Sequence, residues 1–237
     1  GQSALLTLDA AGGLHEVATV PGMVYTAPIV PPDTTMAILG TNEGALLAIE
    51  LRTGKTIWSF DAGKSIRATP VFVDGTLYFG SGAHYLFAID ARNGAEQWRF
   101  PWNHSINTTP ALHNGVLVFA DNAGLLVALD LATAGAGNPP RELWRYSLEA
   151  DRKGAEVFMP TAAVFGGFAV RGQDFYAPSA NGALYALPYH GGDLPWAAGQ
   201  ALRNERTLDA AAFTVWADPH KGELPAAAML EEHLEFA

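Results

Sequence analysis

A spacing of 40 residues runs through this sequence and restricts it to architectures that stack copies of one small unit. The acidic residues Glu50, Asp90 and Asp130 recur at that interval. Each closes the same apolar run: Leu46-Leu47-Ala48-Ile49, Leu86-Phe87-Ala88-Ile89 and Leu126-Val127-Ala128-Leu129. A fourth copy, Leu184-Tyr185-Ala186-Leu187, has Pro188 in place of the acid. Every copy leads to a tryptophan, at Trp58, Trp98, Trp144 and Trp196. A weaker copy, Leu6-Thr7-Leu8-Asp9, precedes them, with Gly13 in its turn and Val17 where the others carry tryptophan. A unit of this length buries its faces only against its neighbours.

A second signal comes before each copy. Thr26-Ala27-Pro28, Ala68-Thr69-Pro70, Thr108-Thr109-Pro110 and Met159-Pro160-Thr161 each open a short apolar run. Asp74-Gly75 and Asn114-Gly115 follow in two of them, and such pairs supply the positive φ that two-residue hairpins need. One period therefore reads as four short antiparallel strands, which is the content of a propeller blade. Alternation puts Ala48, Ala88 and Ala128 on one face, where adjacent sheets approach closely. The tryptophans of the outer strands are expected to lie across the next blade as structural staples, the alternative being a row of ligand-stacking aromatics.

The pattern Ala-[Ile/Leu]-[Asp/Glu]-x-x-x-Gly-x-x-x-Trp, seen from Ala48 to Trp58 and from Ala88 to Trp98, resembles the tryptophan-docking repeat of the PQQ-like (quinoprotein-like) β-propeller family. The Thr-Pro strand and the segment Leu77-Tyr78-Phe79-Gly80-Ser81 match the same repeat. The resemblance covers residues 5–200 and implies fold rather than one function. Members include PQQ-dependent dehydrogenases, BamB-type outer-membrane assembly lipoproteins and sensor domains. Residues 28–196 make four complete blades, and the N-terminal half-blade makes a fifth if a later strand completes it. Phe213-Thr214-Val215-Trp216-Ala217 is the candidate. A chain excised from a longer propeller is the rival account of this count. The expected organisation is an all-β propeller over 1–217 and a C-terminal extension over 218–237. Within the extension, Met229, Leu230, His233 and Leu234 form one helical stripe. That helix could pack on its own propeller or dock elsewhere, and disorder is the third alternative.

Composition narrows the function. The 24 acidic against 14 basic side chains give a net charge of −10, a poor surface for nucleic acid or anionic lipid. No apolar stretch reaches the ~18 residues of a membrane span. The absence of cysteine excludes disulfides, thiolate metal sites and a Cys nucleophile. It also excludes the vicinal disulfide that the resemblance implies for many quinone-dependent members. The seven histidines show no metal-ligand spacing, and no Gly-x-Ser-x-Gly elbow, P-loop or dinucleotide fingerprint is present. No catalytic, metal or PQQ-binding residue is therefore assigned.

The remaining candidates are the residues just before each Thr-Pro motif, which would ring the channel mouth: Tyr25, Arg67, Asn107 and Met159. Arg67 could receive an anion or a partner's carboxylate, or pair with a neighbouring acid. Trp102 stands off the staple register, as an exposed anchor or as loop packing. Asn103-His104-Ser105 and Asn107-Thr108-Thr109 match the glycosylation acceptor pattern. The leading expectation is a non-enzymatic scaffold that holds a protein partner in a larger assembly. The alternatives are a ligand-binding sensor domain with a small molecule in the channel, and a truncated quinone-dependent dehydrogenase. The resemblance alone implies an extracytoplasmic, periplasmic or envelope location.

Overall fold

The computed structural model describes residues 1–147, 164, 166–172, 174–178 and 184–188. Apart from one turn of 3-10 helix, Leu131–Thr133, their regular structure is all β. The chain divides into Gly1–Gly199 and Gln200–Ala237. The second unit lies outside the described residues, and with it the strand expected over 213–217 and the helix expected in the extension.

Five antiparallel sheets follow one another along the chain. The first is a hairpin of β1 (Gln2–Leu8) and β2 (Leu14–Pro21). The second holds β3 (Met36–Gly40), β4 (Ala45–Glu50) and β5 (Thr56–Asp61). Four strands build the third: β6 (Val71–Val73), β7 (Thr76–Ser81), β8 (Tyr85–Asp90) and β9 (Glu96–Pro101). Four more build the next: β10 (Ala111–His113), β11 (Val116–Ala120), β12 (Leu125–Asp130) and β13 (Arg141–Ser147). The last comprises β14 (Ala169–Arg171), β15 (Asp174–Pro178) and β16 (Leu184–Pro188). Strand order equals chain order in every sheet, which is the wiring of propeller blades.

Local chemistry explains the turns. Asp74-Gly75 and Asn114-Gly115 hold φ of 47° and 82°, and of 47° and 78°, joining β6 to β7 and β10 to β11. The innermost strand of the second sheet is shorter than the repeat predicts. Only Ile29 joins it, exchanging backbone bonds of 2.8 and 2.7 Å with Ile38. Pro28, Pro31 and Pro32 flank that residue and cannot donate to a ladder.

The core lies between sheets. Leu5 and Val20 meet Ala37, Leu39, Leu47 and Ile49 at the first interface. Ile38, Leu46, Ala48 and Trp58 meet Leu77, Phe79, Phe87 and Ile89 at the second. In β11, Leu117 and Phe119 face the sheet before, while Val116, Val118 and Ala120 face the sheet after. Alternating residues thus serve opposite interfaces, and such strands read as continuous apolar runs.

Each outer strand of the full repeats carries a bulge at one register. Ala48 pairs with Trp58 and Ile49 with Thr56, so Ile57 is the extra residue. Gln97 and Leu143 take that place in β9 and β13. In the first hairpin the shift falls earlier, with Leu5 opposite Ala18 and Leu6 opposite Glu16. Ala18 therefore occupies the tryptophan register, correcting the expectation of Val17. The cause is two further zipped pairs between bulge and turn, Thr7 with His15 and Leu8 with Leu14.

Candidate interaction face

The turns between the second and third strands of each full repeat lie beside the loops that enter the next blade. Thr41, Ser81 and Asp121 begin these turns, 40 residues apart, and all are buried polar residues. The Thr41 hydroxyl accepts the N–H of Ala45 at 3.1 Å. The Ser81 hydroxyl donates toward the carbonyls of Ala62 and Lys64, at 3.1 and 3.0 Å. Asp121, with 0% exposure, replaces the hydroxyl by a carboxylate. Its Oδ1 accepts the N–H groups of Ala123 and Leu125, both at 2.9 Å. Its Oδ2 accepts Trp102 Nε1 at 2.7 Å and faces His104 Nδ1 at 2.9 Å. A buried carboxylate persists when its lone pairs are filled in this way. Ser81 and Asp121 thereby fasten their turns to the adjoining loops, while Thr41 braces its own turn.

Asp121 is the organising residue that sequence reasoning missed. Its signal was the buried polar position shared by Gly40-Thr41, Gly80-Ser81 and Ala120-Asp121. Trp102 is half-buried, edge-on to Phe119 at 5.5 Å and beneath the Arg145 guanidinium at 5.4 Å. It is a packed loop residue held by Asp121 rather than an exposed anchor.

The channel-mouth candidates stand in equivalent places. The neighbouring Thr26 exchanges hydrogen bonds with Gly40, at 3.2 and 2.9 Å. Thr108 repeats that exchange with Ala120, at 2.8 and 3.0 Å. These bonds hold the segments that carry Tyr25 and Asn107; beside Arg67 the equivalent residue is Ala68, and the backbone bond from Ile66 N–H to Thr41 O at 2.9 Å holds that segment instead. Tyr25 is 58% exposed. Arg67 is exposed, with its Nε on Asn42 Oδ1 at 3.2 Å and no carboxylate within ion-pair reach among the described residues. Asn107 is partly buried, and its Oδ1 has no hydrogen-bond partner among the described residues. Met159 lies outside the described residues. Beside this arc the inner segments meet directly: Ala27 N–H donates to Thr69 Oγ1 at 3.0 Å, and Thr109 N–H to Gly166 O at 2.9 Å.

The tryptophans reach across interfaces. Trp58 Nε1 donates to Ala91 O of the next blade at 3.0 Å. Trp98 is buried with Leu117, Phe119, Val127 and Leu129 of the following sheet. Trp144 is buried with Val164, Phe175 and Leu187. Trp196 lies outside the described residues. Where the first hairpin has Ala18, its backbone moves in: a Cβ built on Gly54 would meet Val17 O at 2.0 Å.

Among the described residues, no three of His, Asp and Glu gather as metal ligands. No helix among the described residues is long and apolar enough to cross a membrane.

Successive antiparallel blades, two of them four-stranded among the described residues, joined by buried tryptophans define a β-propeller of the quinoprotein-like class. A family model described as outer membrane protein assembly factor BamB matches residues 12–228, and the chain belongs to that family. BamB from Moraxella catarrhalis is 17% identical, with a TM-score of 0.58 over 81% of this chain and 64% of that one. The chain thus spans less than two thirds of that BamB. The computationally designed Ika4 protein is 12% identical, with a TM-score of 0.55 over 73% of this chain and 98% of that one. The quinohemoprotein alcohol dehydrogenase ADHIIG from Pseudomonas putida HK5 is 18% identical, with a TM-score of 0.52 over 67% and 28%. At these identities the likenesses show the fold. No protein of curated function matches the sequence significantly.

Proposed function

We propose that this chain is a non-enzymatic scaffold of the cell envelope whose channel-mouth face holds another protein within a larger assembly. The observation that carries this reading is Arg67, an exposed guanidinium in a protein of net charge −10 that meets only the Asn42 amide among the described residues. It stands on an arc with exposed Tyr25 and with Asn107. A guanidinium fork of this kind is suited to a partner's carboxylate, and Tyr25 supplies rigid apolar area beside it. The rest of the face is built from backbone turns fastened by Thr41, Ser81 and Asp121, so it is preorganised. Membership of the BamB family supports a role in an outer-membrane assembly and a periplasmic location.

The test is recovery of partners from the native envelope fraction by the full chain and by its Arg67→Glu variant. A stoichiometric partner lost in the variant supports the reading. Recovery of the native chain alone overturns it. The alternative of a small ligand in the channel is favoured by Asn107 Oδ1, which has no partner among the described residues. Calorimetric titration with PQQ, with and without Ca²⁺, tests the quinone form of that alternative, and saturable heat weakened by Asn107→Ala would establish it.

A further inference from the structure

The outer strands β5, β9 and β13 can be compared residue by residue, because their bulges share one register. In β9, Glu96 and Arg99 stand two before and one after Trp98 and form an ion pair at 2.7 Å. In β13, Glu142 and Arg145 flank Trp144 in the same way, at 2.6 Å. The two equivalent positions of β5 are Thr56 and Ser59. From Thr56 to Phe60 that strand has no charge, and its bulged Ile57 is 49% exposed. Charges on an edge strand deter another strand from pairing with it, because pairing would desolvate them. β9 and β13 carry this protection and β5 lacks it.

A second observation shows what such an edge accepts. The insertion over 134–140 lies against β9, and Gly137 N–H donates to the Gln97 carbonyl at 2.8 Å. Gln97 is the bulged residue of β9, the counterpart of Ile57. In β9, a neighbouring backbone has already taken up the position that β5 leaves open. Among the described residues, the backbone of Thr56–Asp61 bonds only to β4.

We propose that the free edge of β5 is a strand-addition site for an extended segment of another polypeptide, uncharged across its middle. The row of open N–H and C=O groups selects an extended backbone, and Thr56, Ile57 and Ser59 select uncharged side chains along it. A second copy of this chain is the poorer occupant, because each copy carries −10. The site lies on the outermost strand of its sheet and uses none of Tyr25, Arg67 or Asn107, so it goes beyond the scaffold reading.

The experiment uses the full chain and a fluorescent octapeptide of alternating valine and threonine, read by anisotropy. Saturable binding is expected, weaker by about tenfold or more for a peptide with a central proline, which cannot donate to the ladder. The same loss is expected for the double variant Thr56→Glu, Ser59→Arg, which copies the pair already present on β9. Backbone amides of 56–60 should gain exchange protection with the peptide in native protein only. Absence of binding overturns the proposal, as does equal binding by the double variant. Sedimentation showing that the native chain alone dimerises, and that the double variant does not, replaces the proposed occupant by a second copy.

Discussion

The indole N–H of Trp58 donates to the carbonyl of Ala91, 33 residues on, and its ring lies where a Cβ at Gly94 would come within 2.7 Å. One blade thus ends on the turn that closes the outer hairpin of the next. The contact combines buried aromatic area with a satisfied polar group.

Trp58→Phe keeps most of that area and loses the hydrogen bond, so a loss of about 1 kcal/mol is expected. Trp98→Ala empties a site between two sheets and should cost about 3–5 kcal/mol. Urea midpoints at unchanged slope provide the check, and equal losses for the two would contradict this division.

Gly94→Ala meets two obstacles, a φ of 71° and the Trp58 ring. Gly75→Ala meets only the first, a φ of 82° in open space. Gly75→Ala should therefore cost about 1 kcal/mol and Gly94→Ala distinctly more. The difference should shrink in a Trp58→Ala background, which a double-mutant cycle reads directly.

Asp121→Asn keeps one acceptor oxygen, which the turn N–H groups of Ala123 and Leu125 claim, and turns an NH2 group, which cannot accept, toward Trp102 Nε1. A loss of about 2–3 kcal/mol is expected, with an upfield move of the Trp102 indole proton as its hydrogen bond goes. An unchanged indole resonance would show that Asp121 does not hold the loop.

Asp9 closes the β1–β2 turn by accepting from Ala11 and Gly13, at 2.9 and 2.7 Å, and by meeting His15 Nε2 at 2.8 Å. The His15 contact, then the backbone bonds, hold its carboxyl below the ordinary value of 3.8. A depressed acid stabilises the folded form fully above its unfolded value and loses that contribution as pH falls through the folded one. The protection of the Ala11 and Gly13 amides, measured against their intrinsic exchange rates, should therefore persist at neutral pH and fall away only below about pH 4. Asp9→Ala, which removes the acceptor, should show little protection at either pH.

The sequence by itself determined the repeat, the strand pattern, the hairpin turns and the tryptophan positions, because these depend on alternation and turn chemistry within a few residues. Asp74-Gly75 and Ala88-Ile89-Asp90 read the same in one dimension as in three. Tertiary structure decided which residues meet across 17 or more positions. Only pairing register put Ala18 rather than Val17 in the tryptophan place, because two extra pairs zip below the first bulge. Only the meeting of a turn with a loop joined Asp121 to Trp102, and likewise set Arg67 against Asn42. Only the course of the insertion against β9 distinguished a covered edge from the open one at β5, since an edge strand's neighbours are chosen by the fold and leave no periodic mark.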